Sequence, residues 1–120
     1  MSPILLAHAS ADSLAETARY LQGNRIENPV ICVGNSKDLV DYLEGKESYK
    51  DRAKAPMPVV ILLDQEIAGS KEWSLAKSKS PISAIIRAPD VIDFTERIHM
   101  TNGILLKRTR TGYRVEREAI

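Results

Sequence analysis

Five short apolar runs punctuate the chain, at residues 3–7, 29–33, 59–63, 82–86 and 103–106. Each is bounded by turn-forming residues and none alternates strictly between apolar and polar positions, the pattern of strands buried on both faces of a parallel sheet. Segments of helical spacing separate them. Leu14, Ala18 and Leu21 fall on one helical face, with Ser13 and Glu16 spaced as a capping box near the start and Gly23 as a stop. Residues 36–43 gather Leu39, Val40 and Leu43 on one side and run into Gly45, and residues 91–100 set Ile92, Phe94, Ile98 and Met100 among charges.

Strands alternating with helices generate βαβ units, whose right-handed crossovers place helices on both faces of the sheet. The expected fold class is therefore α/β, a flavodoxin-like doubly wound five-stranded parallel sheet. Two regions modify the plan. Residues 47–54 are highly charged and precede Pro56 and Pro58, as an exposed loop or frayed helix end would. About ten residues between Ser70 and Pro81 leave room for a shortened third helix of two turns around Trp73. The C-terminal element is altered too: after Gly112, Tyr113 and Val115 alternate with charged residues, which suggests a strand returning antiparallel at the edge beside the fifth. A helix of two or three turns over the same residues is the alternative.

At 120 residues, 43% apolar and 28% charged, the chain has the size and composition of one globular domain spanning 1–120, able to form a core without metal or disulfide support. Cys32, the single cysteine, lies within an apolar run, where it is expected as a small core residue in a reducing compartment. The N-terminal apolar run is too short for a signal peptide or membrane span, so the expected location is cytoplasmic, with no membrane contact. A net charge of +1 specifies no partner. The segment from Lys107 to Arg117 is locally basic, with Arg108, Arg110 and Arg114 between them against Glu116 alone. It lacks interleaved aromatics, and the chain has no helix-turn-helix signal, so nucleic acid is not expected as a partner.

Candidate chemistry centres on Asp64. It ends the most apolar run and begins a polar loop, so its carboxylate belongs to the crevice at the C-terminal strand ends where open α/β sheets bind ligands. His8, after the first run, opens onto the same crevice and could hydrogen-bond Asp64 or share a soft metal with it. No Cys/His cluster supports coordination, so no metal is expected. Ser10 and Asp12 suit the start of the first helix. His99, among helix charges, reads as surface. No glycine-rich phosphate loop is present, and the chain is not expected to be an enzyme.

From about Pro3 to Lys107 the chain resembles the receiver domain of two-component response regulators, particularly the single-domain receivers with a long loop between the second helix and third strand. Residues 37–52, leading into Val59-Val60-Ile61-Leu62-Leu63-Asp64, carry the likeness most specifically. The resemblance implies that Asp64 is the phosphoacceptor and that Lys107, ending the fifth strand within reach of Asp64, binds the phosphoryl group. It places Glu66 where a backbone carbonyl binds the metal. The acidic pair that holds Mg²⁺ in the family falls on His8 and Ala9, the phosphate-binding Ser/Thr on Ile86 and the aromatic switch on Ile104. The prolines after the lysine and past the phosphoacceptor fall on Arg108 and Ala68. Magnesium requires hard oxygen ligands, which alanine and imidazole do not provide. A degenerate, stand-alone receiver is therefore expected. It would signal through protein contacts with a histidine kinase, another signalling protein or a second copy, without normal aspartyl phosphorylation and without a cofactor. The alternative is a phosphorelay receiver modified on Asp64 through an atypical Mg²⁺ site.

Overall fold

The computed structural model describes residues 2–63, 74, 84–87 and 104–117, with the backbone alone at 63, 84–87, 104, 106 and 117. Strands β1 (Ile4–Ala7), β2 (Val30–Val33), β3 (Val60–Leu63) and β4 (Ala84–Arg87) form a parallel sheet in the order β2-β1-β3-β4. The register aligns Leu6 of β1 with Cys32 of β2 and with Leu62 of β3, which is in turn aligned with Ile86 of β4. β1 and β3 are apolar throughout because both their faces are covered. Ile4, Leu6, Val60 and Leu62 join a cluster with Leu21 of α1 (Ala11–Gly23), whereas Leu5, Ala7 and Ile61 pack with Leu39, Tyr42 and Leu43 of α2 (Ser36–Glu44). Sequence periodicity had placed these four strands within two residues of their ends.

Both helices start on side-chain caps. Ser10 rather than Ser13 caps α1, its Oγ accepting the Ser13 N–H at 3.2 Å, so the expected capping box begins three residues too late. Asn35 Oδ1 accepts the Asp38 N–H at 2.8 Å to start α2. That helix ends at Gly45, whose φ of 68° favours a residue without Cβ. Arg52 then donates to Leu43 O at 2.9 Å and to Ala55 O at 3.0 Å, satisfying a terminal carbonyl of α2. Its guanidinium lies 5.8 Å from the Tyr42 ring centroid, and the Tyr42 hydroxyl donates to Pro56 O at 2.6 Å. The charged segment expected as an exposed loop or frayed helix end is mostly exposed, but Arg52 ties it to α2 and it carries a 3-10 turn at Glu47–Tyr49.

Two expectations need correction. Cys32 is exposed rather than part of the core, because β2 is the edge of the parallel sheet and cover there is incomplete. The fifth strand, expected to extend the parallel sheet, instead forms a separate two-stranded sheet among the described residues. β5 (Ile104–Arg108) pairs antiparallel with β6 (Tyr113–Arg117), Lys107 opposite Arg114. The antiparallel reading of the C-terminal element agrees with this pairing. The region expected to hold the third helix around Trp73, and the helix expected over residues 91–100, lie outside the described residues.

The connection between α1 and β2 holds β6 in place. The Tyr113 N–H donates to Arg25 O at 2.7 Å and the Glu27 N–H donates to Tyr113 O at 2.8 Å, one step of a parallel ladder. The next step would need an N–H from residue 29, and Pro29 has none. The carboxamide of Asn28 substitutes for it: Oδ1 accepts the Val115 N–H at 2.7 Å, and Nδ2 donates to Val115 O and to Ser2 O, each at 2.9 Å. Asn28 is only 4% exposed, so its polar atoms are satisfied within the protein rather than by solvent. Val115, 1% exposed, completes the α1-side core beside Ile4, Leu21 and Ile26. At the hairpin turn Gly112 is buried, and a Cβ there would lie 2.2 Å from Arg25 O.

Candidate functional site

The C-terminal edge of the parallel sheet gathers the ends of β1 and β3 and the loops that start the two helices. Ala7 of β1 is aligned with Val33 and with Leu63, so His8 and Gly34 both directly follow aligned strand ends. The His8 N–H donates to Val33 O at 3.1 Å and continues the ladder by one residue. Its ring turns to the loop: Nδ1 accepts the Ser10 N–H at 2.9 Å. The imidazole therefore braces the residue that caps α1. An Nδ1 accepting from a backbone amide carries no proton of its own, which leaves the proton of the neutral ring to Nε2.

Asp64 and Glu66, the expected phosphoacceptor and metal-carbonyl positions, lie outside the described residues. Ile86 lies within β4, aligned with Leu62 one residue before the strand's end. Of the acidic pair expected of a receiver, the described positions hold His8, with Nδ1 engaged by Ser10, and Ala9, which has no side-chain donor. This pair does not suit Mg²⁺, which takes oxygen ligands in octahedral geometry. Among the described residues no group of three or more His, Cys, Asp or Glu could hold a metal ion.

Lys107 is not at this edge. It is exposed on β5, and the hairpin is held at the opposite, N-terminal edge through Arg25, Glu27 and Asn28. Asn28 Nδ2 reaches both Ser2 O and Val115 O, so Val115 stands level with Ser2. Lys107 pairs with Arg114, one residue farther from the crevice. The six residue steps from Ser2 to His8 span roughly 20 Å at the rise of an extended strand. The expected reach of Lys107 to Asp64 involves a residue outside those described; Lys107 itself lies on the hairpin and not on a strand of the parallel sheet.

The hairpin has its own electrostatics. The carboxylate of Glu27 accepts from the Thr109 hydroxyl at 2.7 Å and from the Thr111 hydroxyl, and the Gly112 N–H donates to Thr109 Oγ1 at 2.9 Å. The hydrogen bonds from Thr111 and then Thr109 hold the Glu27 carboxyl below its ordinary pKa, helped by the nearby charge of Arg114. On β2, partial desolvation pushes the Cys32 thiol up. The role of Asn28 was not anticipated from sequence, where an Asn-Pro pair reads as a turn. Ser10 was expected at the start of α1, but alongside a capping box at Ser13, in place of which it caps the helix itself.

The described strands and helices define an α/β domain with a parallel sheet, similar to the receiver fold of response regulators. The chain is similar to the crystal structure of a response regulator in red light signaling of R. palustris, with a TM-score of 0.66 and 19% sequence identity over 83% of this chain and 73% of that one. At that identity the likeness establishes the fold. No protein-family model matches the chain, and no curated protein matches it. Among the described residues, no helix is long and apolar enough to cross a membrane.

Proposed function

We propose that the chain is a receiver-like signal transduction module that acts through protein–protein contacts and does not use normal aspartyl phosphorylation. The observation that carries the reading is the position of Lys107, on an antiparallel hairpin secured at the edge of the sheet away from His8. Phosphoryl transfer to a carboxylate needs cations placed around the transferring oxygens. Here the lysine sits on a hairpin separate from the parallel sheet, and His8 and Ala9 stand where the Mg²⁺ carboxylates of a receiver would be. The partner is a signalling protein, a histidine kinase or a second copy of the chain, met through a preformed surface.

Incubation with acetyl phosphate and Mg²⁺ followed by intact-mass measurement tests the reading. No phosphoryl adduct is expected, and Mg²⁺ with beryllofluoride should leave the amide resonances of His8, Ala9 and Gly34 unmoved. An adduct that disappears in Asp64→Asn would overturn the reading in favour of a phosphorelay receiver with an atypical metal site.

A further inference from the structure

We infer that the outer face and tip of the β5–β6 hairpin form a docking surface for an acidic polypeptide segment that carries an apolar residue. The inference rests on the protein-contact reading above and names the surface and the chemistry of its partner. Residues 104–117 contain five cations and one carboxylate, a net +4 in a chain whose total is +1, so the remainder sums to −3. The excess is concentrated further by the fold. Arg25, whose carbonyl receives the Tyr113 N–H, brings another exposed cation to the hairpin turn.

Lys107, Arg108, Arg110 and Arg25 are all exposed, and none forms an ion pair among the described residues. The neighbouring carboxylates are already engaged. Glu27 accepts from Thr109 and Thr111, and Glu116 is 3.2 Å from Arg114 Nη1. Lys107 stands directly opposite Arg114, a like-charge cross-strand pair in which Glu116 compensates Arg114 and no described carboxylate compensates Lys107. A partner carboxylate between them would turn that repulsion into attraction.

The same face distinguishes a polypeptide from a nucleic acid. Side chains two apart on a strand share a face, so Leu105 lies beside Lys107. At 38% exposed, Leu105 is the one exposed large hydrophobic residue among those described. A phosphate backbone offers nothing to an apolar side chain, whereas a peptide with alternating carboxylates and leucines satisfies both kinds of residue. Charge sets the rate and specificity of encounter, and the apolar contact slows release.

The test is fluorescence anisotropy of the full chain against two labelled probes of equal length, a peptide of Glu-Glu-Leu repeats and a single-stranded oligothymidine. The peptide should bind, with affinity falling as salt rises. Lys107→Glu with Arg110→Glu should weaken it by about tenfold or more, and Leu105→Ser by about threefold, with unchanged circular dichroism. Arg25→Glu provides a second disruption outside the hairpin itself. Lys50→Glu with Lys54→Glu, an equal charge change at exposed positions elsewhere, should leave binding within about twofold. Absence of peptide binding, equal losses from the Lys50 and Lys54 changes, or tighter binding of the oligothymidine without dependence on Leu105 would each overturn the inference. Failed peptide binding without an acetyl-phosphate adduct would reject this surface alone, whereas peptide binding with an adduct on Asp64 would reject the phosphorylation-independent reading alone.

Discussion

Replacing Asn28 by alanine isolates one of the contacts that join the C-terminal hairpin to the rest of the domain, the buried side-chain bridge to Val115. The substitution removes three hydrogen bonds, two to Val115 and one to Ser2, at a site 4% exposed. Each such bond contributes about 1 kcal/mol net, and a buried partner left without water or protein costs more. A loss of about 3 kcal/mol follows, a large share of the roughly 5–15 kcal/mol that separates folded from unfolded domains. Urea unfolding monitored by circular dichroism measures it. With an m-value of about 1.5 kcal/mol/M, the midpoint should fall by about 2 M. Hydrogen exchange should show the Val115 amide losing protection first. Asn28→Asp refines the test, because it keeps an acceptor for the Val115 N–H but sets a carboxylate against two carbonyls. That variant should be less stable than Asn28→Ala near neutral pH and recover as acid protonates it and restores one donor. A change below about 0.5 kcal/mol in Asn28→Ala, with the Val115 amide still protected, would refute the account of how β6 is held.

Val115→Ala should cost about 2 kcal/mol or more in the same urea assay, because the side chain fills the α1-side core; for the same reason, deleting residues 109–120 should unfold the domain instead of cleanly removing a surface. Gly112→Ala should destabilise by about 1–3 kcal/mol, read as a lower thermal midpoint, since the new methyl would meet the carbonyl of Arg25 at 2.2 Å. Glu27 titrates below its ordinary value in the folded state, so the stability it confers is present above the unfolded carboxylate pKa of about 4.3 and is lost as pH falls through the lower folded value. Between about pH 5 and 3 the wild-type midpoint should therefore fall more steeply than that of Glu27→Gln. Cys32 is exposed with its thiol pKa raised, so it should react with a maleimide in the native protein, more slowly than a free thiol at neutral pH and with full recovery of rate in denaturant.

The parallel sheet was legible in the chain because each strand is a short apolar run and each described helix has its own stop. Periodicity, caps and the glycine at 45 are local signals, and local signals survive in a single sequence. The hairpin was legible only in part. Alternation of Tyr113 and Val115 with charges gave its antiparallel pairing, but not what it packs against. That choice depends on Pro29 lacking an N–H and on Asn28 replacing it, a contact across 87 positions that no local pattern encodes. The strand that carries Lys107 escaped for the same reason: its spacing from Asp64 fits a fifth parallel strand, whereas β5 pairs with β6 in a sheet of its own. Cys32 looked like core because its neighbours are apolar, and the order of the strands, which leaves β2 at the edge, decided otherwise. His8 was expected near the crevice, and the backbone amide it accepts from could not be read from composition.

Asn28 also fixes the relation between the two ends of the described chain. A single nitrogen reaches the carbonyls of Ser2 and Val115 at 2.9 Å each, so those carbonyls are no more than about 6 Å apart. Joining residue 2 to residue 117 by a short linker and opening the chain at the exposed segment around Lys50 should give a circular permutant with the same sheet. Reporter groups fused near residue 2 or near residue 117 would leave from the same side of the molecule, away from the crevice beside His8. Either position can therefore carry a label without crowding that crevice.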